Sequence, residues 1–379
     1  MSIVVAGSLN MDYIMQVDEL PHVGETVFSK VHTSAAGGKG ANQAAAAARL
    51  GADVKMLGCT GDDDAGRALV ESLRAFGVDV SAVLVEPSQP TGSAFITVSS
   101  SGANTIVVHR GANFALSSCR CREYENLIAQ ANVLVTQLEI PLDAVITVLE
   151  LARRHHVITV LNPAPSLPIP GEVLELADYL VPNETEAASL LSHVARDGGG
   201  VNAAAVGASA SPEPLRSGAV AAARLARVTR GTVIVTLGEH GCVACKATCL
   251  PSASDTNAGT QADEAGTADG VDGLNEGEGI GRDSAKGGAR GGWRCLAVPA
   301  FKVKAVDTTA AGDAFVGALA YELDRACAAG GGAGLHEFDL EEALRFASAA
   351  GALAATKVGA QPSLPAFDEV AGFMRAHTR

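Results

Sequence analysis

The stretch Asp307-Thr308-Thr309-Ala310-Ala311-Gly312-Asp313-Ala314-Phe315 sets one carboxylate, Asp313, among residues too small to hide their own backbone amides. Its Ala/Gly-rich end predicts a helix, and the apolar residues before it predict a strand end. A helix N-terminus binds phosphate, because its first amides lack partners and its dipole end is positive. An adjacent Asp is what a hydroxyl needs to lose its proton while attacking that phosphate. A helix-capping Asp is the plain alternative, and the rest of the chain decides between the two.

Near the N-terminus, Gly37-Gly38-Lys39-Gly40-Ala41-Asn42-Gln43 precedes an alanine run from Ala44 to Ala48 that ends in Arg49-Leu50-Gly51. Alanine is the best helix former, and Gly51 stands where a C-terminal cap belongs. The glycines therefore form a helix entry and let the backbone approach a ligand closely. A Walker A loop is excluded, because Lys39 is followed by Gly40 and no hydroxyl is placed for magnesium. Asn10 and Asp12, with Met11 between them, follow the apolar run Ile3 to Ala6. An Asn and an Asp at a strand end suit bidentate hydrogen bonding to a polyol.

The elements that must position these groups are strands alternating with helices. Apolar runs at Ile3–Ala6, Val54–Gly58, Val133–Leu138, Val157–Leu161, Tyr179–Pro182 and Val233–Leu237 predict strands. Helical patterns start from Asn42, run from Asp63 to Phe76 with Gly77 closing, and cover Leu142–His155. Such alternation predicts an α/β fold with a mainly parallel sheet covered on both faces. Ligands in these sheets bind beyond the carboxyl ends of the strands. Asn10, Glu139, Asn183, Thr236 and the Asp307 turn each follow a predicted strand, so the pattern brings them to one edge.

The motifs together resemble the ribokinase branch of the phosphofructokinase-B, or ribokinase-like, family of sugar kinases. The matching segments are Gly7 to Asp12, Gly37 to Ala44, Gln137-Leu138-Glu139-Ile140-Pro141, Pro182-Asn183-Glu184-Thr185-Glu186, Thr236-Leu237-Gly238, Asp307 to Phe315 and Gly359 to Ser363. They follow the family order and span nearly the whole chain, so the resemblance implies one ribokinase-like domain over residues 1–379. It implies a small β lid from roughly 13–32 and 92–110, closing over the sugar and forming the contact of a homodimer.

What the resemblance implies for function is ATP-dependent phosphorylation of D-ribose to ribose 5-phosphate. Asp313 would be the general base, and Ala310, Ala311 and Gly312 would surround the transferred phosphoryl with amides. Asn10, Met11, Asp12, Gly38, Lys39, Gly40, Ala41, Asn42 and Glu139 would line the sugar. Thr236, Leu237, Gly238, Glu239, His240 and Gly241 would meet ATP with Asn183, Gly312 and Asp313. Ser348 stands where some members carry a His against adenine. Asn183 and Glu186 would organise Mg2+, largely through water. Asp307, Thr309, Ala354, Lys357, Gly359 and Ser363 would form a K+ site that holds the anion-binding turn in shape. Another pentose, deoxyribose or a nucleoside is the neighbouring alternative. A sugar-binding sensor without catalysis is the rival from another class, and the joint presence of Asp313, Gly312, Asn183 and Glu186 argues against it. The first turn, Gly7-Ser8-Leu9-Asn10, lacks the glycine spacing of a nicotinamide enzyme.

Composition narrows the partners. The 379 residues carry a net charge of −14, which argues against a nucleic-acid or anionic-membrane surface. Neither a signal peptide nor a run of about 18 apolar residues stands out, so a cytoplasmic enzyme is expected. Eight cysteines are scattered through the chain, and without an export signal free thiols are expected. Cys242, Cys245, Cys249 and Cys295 could be drawn as a zinc site. The strand alternation that turns Cys242 and Cys245 to opposite faces speaks against it. Two low-complexity insertions are expected, at roughly 196–218 and 251–292. The second holds eleven glycines, eight acidic and three basic residues, which predicts a disordered surface loop.

Overall fold

The computed structural model describes residues 2–196, 214–247, 279–281, 293–330 and 338–377. These form two compact units, Met1–Pro165 with Phe301–Arg379, and Ser166–Ala300. The bulk of both low-complexity insertions lies outside the described residues.

In the first unit the strands are β1 (Ile3–Ala6), β2 (Asn10–Val17), β3 (Val31–Gly37), β4 (Val54–Gly61), β5 (Val83–Glu86), β6 (Gly92–Ser99), β7 (Asn104–His109), β8 (Val133–Thr136) and β9 (Ile158–Leu161). Their helices are α1 (Lys39–Arg49), α2 (Asp64–Ala75), α3 (Ser118–Glu123), α4 (Glu125–Ala129) and α5 (Leu142–Arg154). In the second unit lie α6 (Gly171–Leu174), β10 (Tyr179–Leu180), α7 (Glu184–Arg196), α8 (Pro214–Leu225), β11 (Thr232–Thr236), β12 (Cys242–Ala247), β13 (Gly279–Gly281) and β14 (Trp293–Val298). The chain returns to the first unit with α9 (Ala311–Gly330), α10 (Leu340–Ala354) and α11 (Phe367–Ala376).

The strands β9-β8-β1-β4-β5 run parallel in that spatial order. β1, β8 and β9 are apolar at nearly every position and wholly buried, as strands covered on both faces must be. Ile3 pairs with both Val54 and Val133, so β1, β4 and β8 start in step, and β1 and β8 also end in step at Ala6 and Thr136. α1 packs against α9, where the alanine run meets Gly317. A Cβ on Gly317 would stand 2.6 Å from that of Ala46, so only glycine lets the two helices come this close. A second, smaller sheet has the order β3-β2-β6-β7, with β2 and β6 parallel and both outer pairs antiparallel. In the other unit β10 and β11 are parallel, while β11, β12, β14 and β13 follow as antiparallel neighbours.

Four expectations change. Residues 299–310 hold no strand, so Asp307 follows an irregular segment rather than a strand tip. Lys302, Lys304, Ala305 and Val306 are exposed there, and too little of the segment is buried to repay ladder formation. The first insertion ends earlier than expected, because α8 begins at Pro214 with its alanines against β12. Within the second, Gly279–Gly281 pairs with β14 as a short strand. Cys245 and Cys295 are joined in a disulfide, not free. They lie directly opposite in the β12/β14 ladder, with Cα atoms 4.2 Å apart. Cys59, Cys119, Cys121, Cys242 and Cys327 form no disulfide, and the described residues hold no cluster of three or more metal-type side chains.

Candidate active site

Asp313 sits in the first turn of α9, 7% exposed, with an amide donor on each carboxylate oxygen. Asn42 Nδ2 donates to Oδ2 and Gln43 Nε2 to Oδ1, both at 2.9 Å. Both donors lie on α1, and the close α1/α9 packing lets them reach. Ala310, just before the helix, holds φ at 59°, an uncommon conformation for a residue with a Cβ. Ala311 N–H donates to Thr308 O at 3.2 Å, and so is shared with the turn. Gly312, Thr308 and Thr309 are exposed, leaving the mouth of the helix open.

The sugar-type residues gather in the same unit. Asn10 opens β2 and lies 4% exposed. Its Nδ2 donates to Glu139 Oε2 at 3.4 Å, and the Lys39 backbone N–H donates to the same oxygen at 3.1 Å. Ser8 Oγ donates to it as well. The Asp12 carboxyl lies against Gly37, where a Cβ would come within 2.2 Å of Oδ2. Gly38 holds φ at 90° and would clash with the Asn10 backbone if it carried a side chain. The double glycine therefore serves the approach of α1 to β2, with Gly40 and Ala41 buried in the first turn. Met11 is buried. Burial first, then the Glu139 and Asp313 carboxylates, push Asp12 up to about 7.

Sequence reasoning missed four supporting side chains. Asn113 is 1% exposed and clasps the Leu9 backbone through both its amide atoms. It also donates to Asn10 Oδ1 at 2.7 Å, so the Asn10 NH2 is the end turned toward Glu139. Ser8, Gln43 and Gln137 lie within the family-type segments, but as uncharged side chains beside Asn10, Lys39 and Glu139 they carry no chemical signal of their own. Asn113 carried no motif at all.

Asp307 ties the turn before α9 to the loop after α10. It accepts from Thr309 N at 2.9 Å and from Gly359 N at 2.8 Å. Burial opposes its charge, but these hydrogen bonds outweigh it and hold the carboxyl below the usual range. Its own N–H and that of Val306 donate to Ala355 O. Ser363 Oγ donates to Ala360 O, and the Ala354 carbonyl accepts from Lys357 N. Lys357 Nζ pairs with Glu369. An ionised carboxylate among several carbonyls is a donor set that fits a monovalent cation.

The nucleotide-type residues, apart from Gly312, Asp313 and Ser348, belong to the other unit. Asn183 and Glu186 form a reciprocal cap at the start of α7, each backbone N–H donating to the other's side chain at 2.8 Å. One oxygen of Glu186 is thus committed to the cap. A single carboxylate with an amide fits Mg2+, which keeps most of its waters. Asn183 bridges to Thr236 at the end of β11. Leu237 and Gly241 close a tight turn in which Gly238 and Gly241 hold φ at 54° and 96°. Glu239 and His240 are exposed on it. Ser348 lies half-buried on α10 in the first unit.

A buried, ionisable proton acceptor at an open helix N-terminus, beside a polyol-type cluster in an α/β fold, defines a sugar phosphotransferase. The sequence profile of the pfkB family of carbohydrate kinases matches residues 1–259 and 290–366. The ribokinase of Haemophilus influenzae is 34% identical over 98% of this chain and 98% of its own. The deoxyribokinase of Salmonella typhi is 29% identical over 97% of each. Among solved structures, Arabidopsis thaliana ribokinase complexed with ribose and ATP superposes with a TM-score of 0.73 at 27% identity, covering 98% of both chains. The chain belongs to the pfkB family of carbohydrate kinases, and it is a phosphotransferase. Among the described residues no helix is long and apolar enough to cross a membrane.

Proposed function

We propose that the protein transfers the γ-phosphoryl group of ATP to D-ribose, giving ribose 5-phosphate and ADP. The observation that carries the reading is the Asp313 carboxylate, held by Asn42 and Gln43 within the unit that also gathers Asn10, Asp12, Lys39 and Glu139. Asp313 accepts the proton of the attacking hydroxyl as the oxygen meets the γ-phosphorus. The amides around Ala310, Ala311 and Gly312 receive the charge that grows on the phosphoryl oxygens. Asn10, Asp12, Lys39, Asn42 and Glu139 fix the sugar hydroxyls, with Asp12 and Asn10 carried by β2 of the smaller sheet.

The residues from Thr236 to Gly241 hold the nucleotide phosphates and ribose, and Ser348 faces the adenine. Asn183 and Glu186 hold water around Mg2+, which when bound screens the charge of the phosphates. Asp307 and its carbonyl neighbours would hold K+, whose charge would stiffen the turn before α9. The sheet β3-β2-β6-β7 acts as a lid that excludes water from the reacting phosphate. Its exposed Phe95, Ile106, Val107 and Val108 support a second copy of the chain as its partner, giving a homodimer. The two units work as one kinase domain, in the cytoplasm, where ATP is supplied.

The similarity to deoxyribokinase supports a second reading of the acceptor, in which 2-deoxyribose replaces ribose. ADP release with ATP and Mg2+ separates the two. Ribose-dependent turnover in the wild type, lost by roughly a thousandfold in Asp313→Asn with little change in KM, is the expected result. Turnover with deoxyribose alone discards ribose. Sugar binding with no turnover on any acceptor overturns the kinase reading.

A further inference from the structure

The base at position 313 is held by more than its immediate neighbours. Gln43 is completely buried, and its NH2 group spends both hydrogens, one on Asp313 Oδ1 at 2.9 Å and one on Asn162 Oδ1 at 3.0 Å. An ionised carboxylate only accepts hydrogen bonds, so this fixes which end of the Gln43 amide faces Asp313. Its Oε1 is then turned away and accepts from Gln137 Nε2 at 2.7 Å. Gln137, itself completely buried, follows the tip of β8, and Asn162 follows the tip of β9. The amide chain therefore fastens Asp313 to two strand ends as well as to α1.

The chain has room only because residue 7 is glycine. A Cβ there would stand 2.1 Å from Gln137 Oε1. That oxygen is buried without a hydrogen-bond partner, so the Gln137 amide is kept in place for what its NH2 end does. Asn42 holds the other carboxylate oxygen, Oδ2.

We propose that Gln43 and Gln137 form a positioning relay that fixes the orientation in which the Asp313 carboxylate meets the acceptor's proton. The proposal rests on the kinase reading. Neither glutamine touches substrate in this scheme; both act through Asp313. Losing the Gln43 donor lets the carboxylate rotate and removes a hydrogen bond that favours its ionised form. The other charged groups around the pocket are Asp12 on β2, Lys39 on α1 and Glu139 after β8, and all three are unchanged by the substitution.

The test is steady-state kinetics of wild type, Gln43→Met, Gln137→Met and the double variant across about pH 5 to 9, with thermal unfolding of each. Gln43→Met lowers kcat by roughly ten- to a hundredfold, the value of a hydrogen bond to a charged group, while KM for the sugar moves little. The acid limb of its kcat profile moves to higher pH, which a merely structural defect would not do. Gln137→Met gives a smaller loss of the same kind, and the double variant is no worse than Gln43→Met alone. An active wild type with kcat and acid limb unchanged in a folded Gln43→Met overturns the relay and leaves the kinase standing. Strict additivity in the double variant also overturns it. If Gln43→Met does not fold, Gln137→Met is judged by the same profile shift. A wild type without sugar-dependent turnover overturns both readings.

Discussion

Asp12 offers a direct measure of what this pocket costs the fold. Its carboxyl is pushed from 3.8 to about 7 by burial and by the neighbouring Glu139 and Asp313 carboxylates. Between those values the folded protein keeps a proton that the unfolded chain has released. The stabilisation this brings is complete below about pH 4 and is lost as pH rises through about 7. A gap of about three units corresponds to about 4 kcal/mol, of which about 3 kcal/mol is lost between pH 5 and pH 8. Asp12→Asn keeps the shape of the side chain and cannot ionise, so the variant escapes the loss. Thermal unfolding of both proteins without sugar, taken from pH 5 to pH 9, gives the comparison. Titrations elsewhere cancel in the difference between the two Tm values. That difference rises in favour of the variant by several degrees up to about pH 8 and then levels off. A flat difference, or one that falls as pH rises, refutes the account of a carboxylate crowded by two others.

Two further outcomes test the supports of the anion-binding turn and of the nucleotide-type residues. Asp307→Ala removes the acceptor for Thr309 and Gly359, and so destabilises the protein by about 1–3 kcal/mol. It also abolishes any difference in kcat between potassium and sodium buffers, and equal salt responses in the wild type and the variant would sink the cation site. Asn183→Ala removes the cap of α7, costs about 1 kcal/mol in unfolding experiments, and raises the Mg2+ concentration needed for half-maximal rate. An unchanged Mg2+ requirement would reduce Asn183 to a cap alone.

The parts of the site legible in the sequence are those set by local rules. The helix after Gly38 follows from alanine propensity and begins at Lys39, three residues before Asn42. Asp63 caps α2, and Gly77, with φ at 83°, closes it as its position implied. The apolar runs over β1, β8 and β9 could only be strands covered on both faces. The Asp307 segment misled because its valines and lysines alternate as a strand does, although the residues stay exposed and pair with no neighbouring strand. The Cys245–Cys295 bond depends on the register between β12 and β14, which no local pattern encodes across a sequence separation of 50. Asn113 is the sharpest case. Its role exists only because the chain folds back 103 residues to place it against Asn10.

Asp12 carries the cost of bringing three carboxylates together. Three carboxylates, those of Asp12, Glu139 and Asp313, act on one another there, and the protein neutralises them unequally. Glu139 receives donors from Ser8, Asn10 and Lys39, and Asp313 receives them from Asn42 and Gln43. Asp12 is the member whose proton affinity rises, so it absorbs the repulsion of the other two by staying protonated up to about pH 7. A polyol brings hydroxyl donors, the groups an ionised Asp12 requires. If the proposed sugar binds here, hydroxyls that donate to Asp12 would lower its proton affinity again, and binding below about pH 7 would release a proton from the carboxyl.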